Sequence, residues 1–262
     1  MSAALLIISL SINAQLTEKG SYFIAAICTD GIVIGADSRS AILSGITETP
    51  IVSYDTVQKV YVLDGFACAV AGIMKFSNKP LYYYLNQFSK NYKISGPIKY
   101  HMRQFLWFLR DSFPSLVDQF KNVNMIFAGY FKDTPSISYI KNNLIYSISK
   151  GAICSDSLSD FNDQFKPTMT CSEAAPLIEN SIQNYTIKYK KEHTIGGPIM
   201  ILKISKNNDT LWMKNAPSSA PRLSNKGLYN DFLTNKIKIL NILNLSDSTL
   251  RVIFKKVEFN SQ

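Results

Sequence analysis

Gly20-Ser21 and Asp37-Ser38-Arg39 are the residues whose types and spacing suggest chemistry, because they bracket a single hairpin. Tyr22-Phe23-Ile24-Ala25-Ala26-Ile27-Cys28 and Ile32-Val33-Ile34-Gly35-Ala36 are apolar, β-favouring runs joined through Thr29-Asp30-Gly31. Asp-Gly between such runs is a strong hairpin signal, since both turn positions tolerate positive φ. The open ends of an antiparallel hairpin lie together, so the Ser21 hydroxyl and the Asp37 carboxylate are expected to be neighbours. A hydroxyl becomes a nucleophile when a base takes its proton. Only His101 and His193 could serve as an imidazole base, and the chain has no Gly-x-Ser-x-Gly elbow, so a conventional Ser/His/Asp hydrolase is the weakest reading. Cys28, Cys68, Cys154 and Cys171 lack metal-ligand spacing, and neither histidine has a ligand cluster around it, so no metal or other cofactor is expected. Cys28 and Cys68 read as small buried hydrophobes, while a disulfide stays open for an exported protein.

The pattern resembles the N-terminal hairpin of proteasome β-type subunits and their bacterial relatives in the N-terminal-nucleophile hydrolase superfamily. There a Gly precedes a Thr that autocleavage exposes, a Gly follows ten positions on, and then comes Asp-Ser-Arg; Gly20, Ser21, Gly31 and Asp37-Ser38-Arg39 hold these places here. Thr56-Val57-Gln58-Lys59-Val60 is similar to the family's catalytic-lysine strand, Ala69-Val70-Ala71-Gly72 to its oxyanion-glycine segment, and Gly196-Gly197 is a late echo. The resemblance implies processing at Gly20 and catalysis by Ser21, with Asp37 and Lys59 beside it, Gly72 at the oxyanion, and Arg39 and Glu192 in support. The first residue's own α-amine, with a pKa of about 7.7–8.0, would then be the base for its hydroxyl, and no histidine is needed.

The chain also departs from the family pattern. Serine stands where the proteasomal pattern has threonine. Gly151-Ala152-Ile153 replaces a supporting Gly-Ser-Gly, and Glu192-His193-Thr194-Ile195 replaces a stretch with Asp three places before Ser. Two supporting hydroxyls are therefore expected to be missing. Two readings follow: an amide hydrolase (peptidase) using an exposed Ser21, or a catalytically inactive relative that keeps the fold as a structural or ring-forming protein.

The elements that must position these residues follow from period. Ser40 to Asp55, rich in Ser, Thr and Gly, reads as a connection. Lys59–Leu63 and Phe66–Ala71 form a second hairpin about Asp64-Gly65. Leu81, Leu85, Phe88 and Tyr92 mark a helix; Ile98 through Phe120 repeat the helical period after Ser95-Gly96-Pro97. Strands are predicted over Val123–Tyr130, Ser136–Ile140, Leu144–Ile148 and Ile199–Ile204, and a helix over Cys171–Lys190 with Thr170 or Ser172 as N-cap. This order suits an α+β fold. The resemblance implies a four-layer αββα sandwich of two antiparallel sheets flanked by helices.

At 262 residues and 46% hydrophobic side chains, the chain can bury a full core. Residues 1–14 read as a signal peptide, because the apolar run Ala3–Ile12 is too short to span a bilayer and Ala14 suits a cleavage site. Residues 15–20 then form a pro-segment, 21–215 the hydrolase-like domain, and 216–262 a Pro/Ser-rich linker and tail outside the resemblance. The expected location is exported, periplasmic or secreted, with cytoplasmic as the alternative. A net charge of +9 is spread over scattered lysines with no nucleic-acid module beside them, so no nucleic-acid partner is expected. The expected partners are a peptide or other amide substrate and further copies of the chain, with no stable membrane insertion after signal removal.

Overall fold

The computed structural model describes residues 17–43, 50–73, 75–76, 79–92, 96–120, 123–141, 144–155, 160–189, 194–217 and 222–223. The predicted signal peptide, most of the C-terminal tail, and Glu192 and His193 lie outside the described residues. In chain order, β1 (Thr17–Gly20) precedes the hairpin β2 (Phe23–Cys28) and β3 (Gly31–Ala36), then β4 (Ser40–Leu43) and β5 (Pro50–Asp55). β6 (Val60–Leu63) and β7 (Phe66–Ile73) form the second hairpin, followed by a short ribbon of β8 (Lys75–Phe76) and β9 (Lys79–Pro80). Helices α1 (Leu81–Asn91) and α2 (Ile98–Ser112), a 3-10 turn at Pro114–Leu116 and α3 (Val117–Phe120) come next. β10 (Val123–Phe131), β11 (Thr134–Lys141), β12 (Leu144–Ile148) and β13 (Gly151–Cys154) lead to α4 (Phe161–Gln164) and α5 (Cys171–Lys188). β14 (Met200–Ile204), β15 (Thr210–Lys214) and β16 (Arg222–Leu223) complete the described fold.

Alternation along the strands makes the layers. In β2, Phe23, Ala25 and Ile27 face one buried core, while Ile24, Ala26 and Cys28 face another. In β7, Ala67, Ala69 and Ala71 share the first of these cores with β2, whereas Phe66, Cys68 and Val70 pack with α1 and α2. A strand buried on both faces reads as a continuous apolar run, and small alanines on the inter-sheet side let the two sheets approach. The result is helices α1 and α2, a nine-stranded sheet, a five-stranded sheet, and helix α5: the four-layer αββα sandwich. Both sheets are antiparallel throughout. The five-stranded sheet runs β13-β2-β3-β14-β15, and α5 lies close against it because Gly35 leaves room: a Cβ there would sit 2.2 Å from Ile178 Cγ2.

Three expectations change. Ser40–Asp55 is not simply a connection: its ends are β4 and β5, paired from Ser40↔Tyr54 to Leu43↔Pro50, with residues 44–49 outside the described residues. Composition misled there because the partner strands, not the local residue types, make these segments extended. The helical period from Ile98 to Phe120 is interrupted at Phe113, where Pro114 stops α2 and a 3-10 turn begins. Strands β13 and β15 stand where none was predicted. The expected cap is present: Thr170 Oγ1 accepts from the Glu173 N–H and Glu173 accepts from the Thr170 N–H, a capping box at the start of α5.

Candidate active site

The hairpin does bring its open ends together. Asp37 follows β3 and Tyr22 precedes β2; the Tyr22 N–H donates to Asp37 Oδ1 at 2.8 Å, and the Asp37 N–H donates to the Tyr22 carbonyl at 3.1 Å. Lys59 enters from the other sheet. Val57 N–H bonds the Ser38 carbonyl at 2.9 Å and Val70 N–H bonds the Lys59 carbonyl at 3.1 Å, which holds the segment before β6 against both Ser38 and β7. Lys59 Nζ then reaches Asp37 Oδ1 at 2.9 Å, with both side chains fully buried, and also donates to the Arg39 carbonyl.

Asp37 is built as a receiver. Besides Tyr22 N–H and Lys59 Nζ on Oδ1, its Oδ2 accepts from the Arg39 N–H at 3.2 Å and the Gly196 N–H at 2.8 Å. The buried carboxylate thus has both oxygens engaged by an ammonium and three backbone donors, and it fixes the ammonium in one position. Ile195 has no hydroxyl to offer, yet the next residue supplies a donor from its backbone. Gly196 can do so because its φ is +144° and a Cβ would meet the Arg39 guanidinium at 2.9 Å. Arg39 in turn is clamped by Asp55, through Nε at 2.8 Å and Nη2 at 3.2 Å, a partner that no local pattern announces.

Ser21 lies between β1 and β2 with φ +125°, outside the comfortable range of a residue with a side chain, which costs about 1–3 kcal/mol. Its Oγ is buried and has no hydrogen-bond partner among the described residues. Gly20, immediately before it, is the register partner of Gly72 in β7, so the Gly20–Ser21 peptide bond lies beside Gly72. Gly72 therefore sits inside a strand, at φ +101°, rather than at a strand-to-helix turn. Tyr22 is held by a parallel stack on Tyr185 of α5, ring centroids 4.0 Å apart, which fixes the residue next to Ser21 from the helix side.

A hydroxyl does bond the start of β2, four positions past Gly151. The Phe23 N–H donates to Ser155 Oγ at 3.0 Å and the Ser155 N–H returns to the Phe23 carbonyl at 3.0 Å. Residues 151–154 pair with β2, Gly151↔Ile27 to Cys154↔Ile24, and carry no hydroxyl, so Ser155 is the first hydroxyl residue beside the start of β2. His101 is a core residue of α2, edge-on to Phe66 with Nε2 on the Gly96 carbonyl at 3.2 Å, and burial lowers its pKa.

Gly20 and Ser21 also sit at a structural seam. The larger sheet runs β12-β11-β10-β7-β1-β4-β5-β16, and β1 alone among the described strands pairs with both β7 and β4. Four residues, Thr17 to Gly20, thus bridge two half-sheets, with Lys19 opposite Ile73 on one side and Ala41 on the other.

In solved structures the same fold is found in the Anbu (Gly-1) mutant from Hyphomicrobium sp. strain MC1, at 17% identity and TM-score 0.55, covering 90% of this chain and 97% of that one. It is found again in Anbu, described as an ancestral beta-subunit, from Yersinia bercovieri, at 11% identity and TM-score 0.52, covering 75% and 88% respectively. No curated protein sequence matches the chain. The family model described as proteasome subunit matches residues 17–194, a span that takes in Ser21, Asp37, Lys59 and Gly72, and the chain belongs to the proteasome subunit family.

Proposed function

We propose that the protein is an autoprocessing amide hydrolase, a peptidase, whose nucleophile is Ser21 after the Gly20–Ser21 bond has been cut. The observation that carries this reading is a buried serine hydroxyl without a partner among the described residues, on a strained residue next to Tyr22, whose N–H bonds the carboxylate that fixes a buried lysine. In processing, Ser21 Oγ attacks the Gly20 carbonyl carbon and loses its proton; the C–N bond then breaks to leave an ester, and water hydrolyses that ester to a Gly20 carboxylate and a free Ser21 amine. Release of the strained φ at Ser21 favours this direction.

In turnover the new amine takes the Oγ proton, Oγ attacks a substrate amide carbonyl, and the amine delivers the proton to the leaving nitrogen. The Lys59 ammonium stabilises negative charge developing on Oγ, and backbone N–H groups at Gly72 receive the oxyanion. Substrate follows from the seam. Departure of Thr17–Gly20 leaves the edges of β7 and β4 one strand apart, and an extended peptide adding to both edges presents a carbonyl where Gly20 stood. Export guided by residues 1–14 and assembly of several copies belong to this proposal.

A second reading, a non-catalytic ring-forming relative, is favoured by one observation: β1 is hydrogen-bonded on both sides, so an uncut chain keeps β1 as the bridge of a continuous sheet. A peptide electrophile that closes a ring on the hydroxyl and free amine of one residue separates the two. Labelling mapped to Ser21, and lost in Ser21→Ala, supports the hydrolase; no labelling of a folded protein contradicts it.

A further inference from the structure

At the far end of the hairpin from Ser21, the β2–β3 turn docks onto the start of α5. The Thr29 N–H donates to the Met169 carbonyl at 2.9 Å, the Cys171 N–H donates to Asp30 Oδ1 at 2.6 Å, and Lys203 Nζ reaches Asp30 Oδ2 at 2.5 Å. Cys28 is the last residue of β2 and Cys171 the first of α5. Cys28 and Gly31 are direct register partners, so side chains at these positions point to one face with Cβ atoms roughly 4.5–5.5 Å apart. That face is the one α5 covers, since Cys28, Val33 and Cys171 share its core. Gly31 has no side chain, and Cys171 Sγ fills its place, 3.0 Å from where a Cβ would be. The Cys171 sulfur therefore stands across from the Cys28 side chain.

We propose that Cys28 and Cys171 are a redox couple that closes into a disulfide stapling the β2–β3 turn to the first turn of α5. Two S–H bonds break and one S–S bond forms, and the two electrons and two protons pass to a disulfide oxidant, which is reduced to two thiols. Cys28 retains slight exposure while Cys171 has none, so Cys28 forms the mixed disulfide with the oxidant and Cys171 displaces it. The Cys171 thiol is pushed well above the usual thiol range, first by its hydrogen bond with the Cys28 thiol and then by burial, which makes the second step slow and base-promoted. The remaining cysteines differ: Cys68 is buried between the large sheet and α1/α2, and Cys154 lies in β13. The bond closes a long loop, from Thr29 to Thr170, the kind of loop for which cross-linking restricts the unfolded chain most.

The test is done on the full chain, equilibrated at pH 8.5 in oxidised or reduced glutathione, then denatured and alkylated. The expected oxidised product carries two alkyl groups, on Cys68 and Cys154, together with a linked Cys28–Cys171 peptide pair; the reduced protein carries four. The oxidised protein is expected to melt roughly 5–15 °C above the reduced one, a difference that Cys28→Ala abolishes. Four alkyl groups after oxidation, a lasting glutathione adduct on Cys28, a link through Cys68 or Cys154, or equal melting temperatures in the two states would each overturn the proposal. None of these readouts depends on cleavage at Ser21.

Discussion

The two ends of the β2–β3 hairpin each carry an Asp–Lys pair, and the pairs could hardly differ more in setting. Asp37 and Lys59 are fully buried, and the carboxylate takes three backbone donors as well as the ammonium. Asp30 and Lys203 are 38% and 23% exposed, and although burial raises the Asp30 pKa, its hydrogen bonds from Lys203 and Cys171 outweigh this and leave it lowered. A buried pair gains little net stability from its own attraction, because desolvation offsets it, but removing one member leaves a stranded charge. An exposed pair is screened and easily replaced by water. The same two residue types thus serve as a rigid buried fixture beside the start of β2 at one end and as a turn fastener at the other.

The comparison breaks most sharply at Lys59. Lys59→Ala is expected to cost about 3–5 kcal/mol in denaturant unfolding, by leaving Asp37 buried without its cation, and to abolish processing at Gly20. Gly196→Ala comes next: a side chain at φ +144° pressed on the Arg39 guanidinium is expected to cost about 1–3 kcal/mol and to slow processing, because the Gly196 N–H would shift from Asp37. At the turn end, Thr170→Ala removes the capping box of α5 and should cost about 1 kcal/mol with processing unchanged.

Lys203→Ala should be smallest, about 0–1 kcal/mol, shrinking as salt is raised. Its pH dependence has a definite sign. A carboxyl whose folded-state pKa lies below the ordinary 3.8 contributes stability above that value and loses it as pH falls through the folded value. The difference between wild type and Lys203→Ala should therefore persist at neutral pH, begin to shrink as pH falls past the ordinary value of 3.8, and vanish below the lowered folded-state value.

The sequence made the hairpin readable because its signals are local: Asp-Gly at the turn, apolar runs on either side, and charged or hydroxyl residues at the ends. From that, the start of β2 beside Asp37 follows by geometry, and Lys59 beside Asp37 follows from resemblance. The capping box at Thr170 was equally local. What stayed hidden depends on the backbone or on distant pairing. The Gly196 N–H that supports Asp37 belongs to a group every residue but proline has, so no side chain announced it. Ser155 lies outside the Gly151-Ala152-Ile153 segment of the resemblance, and only the pairing of residues 151–154 with β2 carries it to the Phe23 N–H. Strand β1 falls within the expected pro-segment, residues 15–20. Its role as a bridge is set by β7 and β4, which approach it from opposite sides.

The central claim is that this bridge is cut from Ser21. Intact mass with N-terminal sequencing of the purified wild-type protein and Ser21→Ala, side by side, tests it most directly. The account predicts wild type beginning at Ser21 and the variant retaining the residues before it; a folded wild type with Gly20 still joined to Ser21 would contradict it.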